Sequence, residues 1–129
     1  MGMTMTEKIL ARHSGKKEVK AGDIVVCDID LAVLPELGFT LYPLPQKVWD
    51  PAKICLVADH CIPAPSVDSA NEMKAMREFA RRLGIKNLID VGRHGISHVV
   101  LSERGMALPG STLANADSHT CSSGALNCA

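Results

Sequence analysis

Three short runs hold most of the side chains that could do chemistry: Asp59-His60, Gly92-Arg93-His94-Gly95-Ile96-Ser97-His98 and Asp117-Ser118-His119-Thr120-Cys121. A carboxylate beside an imidazole sets the ring's tautomer and raises its basicity. Asp59 or Asp117 with His60, His98 or His119 is therefore acid–base equipment. Cys121, two residues beyond His119, adds a soft metal ligand. The residues alone support either a metal-assisted lyase or a small zinc-dependent hydrolase using His60, His98, His119 or Cys121. Each run also has a plainer reading. Asp59-His60 fits a turn with a helix-capping Asp, the Gly92–His98 run fits a tight turn, and Asp117-Ser118 fits a helix N-cap. Their common position favours chemistry, because each run follows a predicted strand.

The elements that must position these runs are readable in part. Thr4-Met5-Thr6-Glu7 fits a capping box. It opens a helix expected from about Met5 to His13, with Gly15 as the stop. Ile24–Leu31 predicts a first strand. Across Leu34–Pro51, the prolines 35, 43, 45 and 51 exclude a regular helix or central strand. Leu37, Phe39, Leu41, Tyr42, Leu44, Val48 and Trp49 predict that this stretch packs all the same. Lys53–Ala58 has the short apolar run of a buried parallel strand. Ser69-Ala70-Asn71-Glu72 predicts a second capping box, followed by Met73, Met76, Ala80 and Leu83 at helical spacing and Gly84 as the stop. Asn87–Val91 predicts a strand, residues 92–107 a Gly-rich loop, Leu108-Pro109-Gly110 a turn, and Ser111–Ala116 a last strand. Strands alternating with a helix argue for an α/β fold with parallel pairing. In such sheets ligands bind outside the carboxyl ends of the strands.

Composition excludes several classes. The chain of 129 residues fits one domain, and 47% apolar with 22% charged residues reads as globular. Net charge is zero and no basic tract stands out, which argues against nucleic acid as a partner. No segment approaches the roughly 20 apolar residues of a membrane span, and Glu7 and Lys8 interrupt any signal-like start. A cytoplasmic setting is the expectation. Five cysteines there read as thiols or metal ligands rather than disulfides, with Cys27 and Cys55 packing as small hydrophobes.

The run Asp117-Ser118-His119-Thr120-Cys121, with Ala116 before it and Gly124-Ala125 after it, resembles the signature of the aconitase superfamily, which includes the isopropylmalate dehydratases. Met3–Leu10 is similar to the start of the dehydratase large subunits. Val48-Trp49-Asp50-Pro51 and Val57-Ala58-Asp59-His60 resemble the segment leading to the family's Asp-His. Arg77-Glu78-Phe79-Ala80, Gly95-Ile96-Ser97-His98 and Leu108-Pro109-Gly110 fall in family order. The resemblance implies that residues 1–129 form a single, truncated aconitase-like amino-terminal domain, part of a three-layer α/β/α architecture with a mainly parallel sheet. It implies a hydro-lyase acting on a malate-derived hydroxy-dicarboxylate such as isopropylmalate, a step of leucine biosynthesis, through an unsaturated intermediate.

The implied cofactor is a 4Fe–4S cluster held by three cysteines, with one iron left open to act as a Lewis acid. By resemblance Cys121 is the first cluster thiolate. His60, held by Asp59, protonates the departing hydroxyl. His98 pairs with Asp117, while His119 and Ser118 contact substrate or the iron-bound water. The implied partners are a small hydroxy acid and a small subunit or carboxyl-terminal domain that supplies the catalytic base. The chain departs from the family pattern in three places. It has no later Cys-x-x-Cys, its Leu31–Lys47 stretch is shorter and proline-rich, and Val99 stands where a Gln commonly follows the Gly-Ile-x-His motif. A non-catalytic remnant of a lyase subunit is thus a further alternative.

Overall fold

The structure, a computed structural model, describes residues 2–40 and 42–129. Four strands form one sheet, all of them parallel: β1 (Leu31–Pro35), β2 (Ile54–Val57), β3 (Asn87–Ile89) and β4 (Leu113–Asn115), in the order β3-β2-β1-β4. β2 pairs with β1 in register Val33↔Cys55 and with β3 in register Leu56↔Leu88. All of β2 is buried, as expected of a parallel strand covered on both faces.

Alternation along the strands splits the core into two layers. Ile54, Leu56 and Ala58 face Met73, Met76, Phe79 and Ala80 of α2 (Val67–Leu83). Val33, Cys55, Val57 and Ile89 face Val100 and Leu101 of α3 (Ser97–Glu103), joined by Cys128. The sheet thus lies between helices on both sides, the three-layer α/β/α arrangement expected from the sequence. No helix among the described residues is long and apolar enough to cross a membrane.

Local signals set several boundaries. α1 (Met5–Ser14) opens on the predicted capping box, with Thr4 Oγ1 accepting the Glu7 amide and Glu7 accepting the Thr4 amide. Gly15 ends α1, and Gly84 ends α2, both in the left-handed conformation that glycine adopts without steric cost.

Other expectations are corrected. The first strand is not Ile24–Leu31 but Leu31–Pro35, sharing only Leu31. Ile24 and Val26 are 94% and 89% exposed, and the Asp28 amide is taken by the His13 carbonyl at the end of α1. Pro35 is tolerated in this central strand because of backbone alternation. The Leu31 amide donates toward β4 and the Glu36 amide toward β2. The Pro35 nitrogen therefore faces the β4 side, beyond the last pair Val33↔Asn115, where no donor is needed. The second capping box is also displaced. Ser66, not Ser69, caps α2, and Glu72 reaches away to the Gly38 amide and the Thr40 hydroxyl.

Residues 92–107 are not all loop, since they contain α3. The 34–51 stretch packs only in part. Phe39 is buried and Leu44 and Val48 pack on the α2 layer, but Leu37, Tyr42 and Trp49 are exposed. Leu41 lies outside the described residues. Cys27 lies outside any strand, half-buried, with its thiol toward the Leu10 carbonyl.

Two interactions make testable demands. The Arg77 guanidinium grips Asp90 with bonds of 2.7 and 2.8 Å and holds that carboxyl below its ordinary 3.8. Burial pushes the Asp30 carboxyl up, but the Thr112 amide and His13 outweigh it and hold it low. Both groups are depressed in the folded state, so their stabilisation is present above the unfolded carboxylate pKa and lost as pH falls through the folded values. Arg77→Met should cost about 1 kcal/mol in urea unfolding at pH 7. That difference should shrink as the pH falls below 3.8. A Cβ on Gly95 would lie 2.7 Å from Val100 Cγ2, against a buried, branched side chain with little room to turn. Gly95→Ala should therefore destabilise by about 1–3 kcal/mol in the same assay.

Candidate active site

The strand order reverses at β1, with β2 and β3 on one side and β4 on the other. In parallel sheets the crevice forms outside the carboxyl ends of the strands at such a switch point. The polar runs after β2, β3 and β4 all leave the sheet at that edge.

Asp117 is their meeting point. Its side chain is only 6% exposed. Oδ2 lies 3.7 Å from His60 Nε2, and Oδ1 lies 3.9 Å from both His98 Nδ1 and His119 Nδ1. These separations exceed a hydrogen bond. Oδ1 instead accepts the His119 amide at 2.9 Å, which folds the chain sharply after β4. Thr120 tightens the same turn by donating its hydroxyl to the Asp117 carbonyl at 2.6 Å. The His98 and His119 rings stack, with centroids 5.1 Å apart. Ser118 Oγ lies 3.0 Å from His119 Nδ1, and both residues are exposed.

Asp59 serves the backbone while its carboxylate also lies within 4.8 Å of a His60 ring nitrogen. Its Oδ2 accepts the Ser97 amide at 2.7 Å, at the first residue of α3. No side chain of the local sequence caps this helix. Asp59 supplies the cap from the neighbouring loop and so sets where His98 begins its helix. The carboxylate nearest to His60 as an ion-pair partner is Asp117.

Three further polar residues lie at this edge: Glu36 and Asn115, not singled out from sequence, and Ser97, named there only as part of its run. Glu36, directly after β1, is fully buried and accepts the Asp59 and Cys61 amides. Ser97 Oγ and both polar atoms of the Asn115 side chain are buried without a hydrogen-bond partner among the described residues, as is His98 Nδ1. Orphaned polar atoms are costly in a protein interior. The only sequence signal for Glu36 is an acid set among Leu34, Pro35 and Leu37.

Among the described residues, two groups bring three ligand atoms within 4.8 Å of one another: His98, Asp117 and His119, and Asp59, His60 and Asp117. Cys121 is in neither. It is exposed on the 3₁₀ segment Thr120–Leu126. Cys55 and Cys128 are buried in the sheet core, and burial pushes the Cys55 thiol up to about 11. Such a thiol is a poor source of thiolate.

Comparison with known proteins shows the family. A sequence profile of the aconitase family (aconitate hydratase) matches residues 45–129. The chain is 48% identical to the 3-isopropylmalate dehydratase large subunit of Mycolicibacterium smegmatis over 130 residues, which cover 100% of this chain and 31% of that protein. It is 47% identical to 3-isopropylmalate dehydratase large subunit 1 of Methanopyrus kandleri and 46% identical to the probable large subunit of Methanothermobacter thermautotrophicus, each match covering 98% of this chain and 31% of the relative. The chain thus spans about a third of the length of these curated relatives. With the strand-end clusters in family order and a profile match over most of its length, the chain belongs to the aconitase family.

Proposed function

We propose that this chain supplies one wall of the active site of a hydro-lyase acting on a malate-derived hydroxy-dicarboxylate such as isopropylmalate. The observation that carries this reading is the convergence of His60, His98 and His119 on Asp117 at the strand-end crevice of an aconitase-family chain. Dehydration needs a proton for the departing hydroxyl. His60 is the donor, its ring 3.7 Å from the Asp117 carboxylate. His98, delivered by α3, forms the second acid–base pair with Asp117. Ser118 and His119, exposed beside them, take the substrate's polar groups. The orphaned atoms of Ser97, His98 and Asn115 suit a polar ligand seated at this edge.

Cys121 suits one thiolate position of a 4Fe–4S cluster, being exposed and two residues beyond His119 in the chain. Cys55 and Cys128, buried in the core, do not fit as further ligands. When bound, the cluster supplies a Lewis-acid iron that polarises the substrate's hydroxyl and carboxylate. By the family pattern the two other thiolates would come from a later Cys-x-x-Cys of a large subunit, and the catalytic base from a separate domain or small subunit. The five free cysteines suit a reducing cytoplasm.

A zinc-dependent hydrolase has one observation in its favour, the two three-ligand groups of imidazole and carboxylate. Metal analysis separates the readings: one tight zinc per chain, with hydrolysis and no dehydration, would favour it.

Anaerobic reconstitution of this chain alone with iron and sulfide should not yield a stoichiometric cluster, because one thiolate cannot replace three. A full 4Fe–4S absorption band that disappears in Cys121→Ala would overturn this expectation. When the chain is co-expressed with the remainder of a dehydratase, Asp117→Asn should lower kcat by about 100-fold or more, with a smaller change in KM. The ultraviolet absorbance of the unsaturated acid measures it, and wild-type turnover in that variant would remove Asp117 from the mechanism.

A further inference from the structure

We infer that Glu36 is a positioning residue whose carboxylate sets the place of His60 and, through Asp59, of His98. Its catalytic meaning rests on the lyase reading above, but its geometry does not. Glu36 is the first residue beyond β1, and its amide extends the ladder to the Val57 carbonyl at 3.1 Å. The side chain is fully buried and spends both oxygens on the loop after β2. Oε2 accepts the Asp59 amide at 2.8 Å, and Oε1 accepts the Cys61 amide at 2.6 Å. Those two amides flank His60, so one carboxylate grips the backbone on both sides of the imidazole.

The grip continues outward. With its amide held by Glu36, Asp59 presents its own carboxylate to the Ser97 amide at 2.7 Å and so anchors the start of α3 one residue before His98. A chain of two carboxylates thus runs from the end of β1 to His60 and His98, two of the three histidines near Asp117. A buried carboxylate with no cation paired to it among the described residues is an expensive way merely to close a loop. A carboxylate accepts two amides through fixed, separate oxygens, which an amide side chain of the same length cannot do.

Nuclear magnetic resonance of the full chain, with amide exchange, tests this without requiring a cluster or turnover. A failure here leaves the lyase reading standing, and loss of the lyase reading leaves these measurements unchanged. Glu36→Gln should speed exchange at Asp59, Cys61 and Ser97 by about tenfold or more. It should shift the His60 ring signals while the Leu56 and Val57 amides keep their protection. Glu36→Asp keeps the charge but shortens the reach, and should give the same local loss. Wild-type His60 signals in Glu36→Asp would show that charge alone matters and would overturn the positioning role. So would an unchanged Ser97 amide in both variants, or equal loss of protection across β2. If neither variant folds, the wild-type chain still decides. Asp59 and Cys61 amides exchanging as fast as the exposed loop amide of Ala64 would also overturn it.

Discussion

Parallel pairing of β1 with both β2 and β4 is the constraint on which the rest of the molecule depends. Parallel strands cannot be joined by tight hairpins, so each connection must cross the sheet and return to the same starting edge. All four carboxyl ends therefore open on one side. Because β2 and β4 lie on opposite flanks of β1, the loops after them diverge and leave a crevice between. Residues distant in sequence, such as Glu36, His60, His98 and Asp117, become neighbours for this reason alone.

Within that crevice, three carboxylates have separate tasks. Glu36 is buried and binds only backbone, holding the loop that carries His60. Asp59 bridges that loop to α3 by capping it. Asp117 sits nearly covered beneath the imidazoles. Backbone amides are good partners for the first two, because a planar main-chain N–H cannot rotate away as a side-chain donor can. Asp117 bonds the His119 amide and also lies within 4 Å of three imidazoles.

The buried faces follow the same logic. β2 contributes alternate residues to two layers, so α2 and α3 each find an apolar face without competing. Gly95 lies where a Cβ would meet Val100 of α3 at 2.7 Å, so the loop after β3 packs on this helix through bare backbone.

Local patterns in the sequence determined what a few neighbouring residues can decide. The Thr4–Glu7 capping box, the glycine stops at 15 and 84, the apolar run of β2 and the Asp117–Cys121 signature were all legible, because their partners lie within a few positions or their chemistry is in the residue types. The β-rich run at Ile24–Ile29 misled because propensity cannot tell whether a neighbouring strand is there to pair with. α3 was hidden for a related reason, since its cap comes from Asp59, 38 residues away. Glu36 looked like one acid in a proline-rich stretch until the sheet brought the Asp59 and Cys61 amides to it. The sequence by itself determined which groups could do chemistry, and with what family they agree. Only the tertiary structure decided which carboxylate lies near which histidine, because that depends on strand order and on backbone amides that no local pattern records.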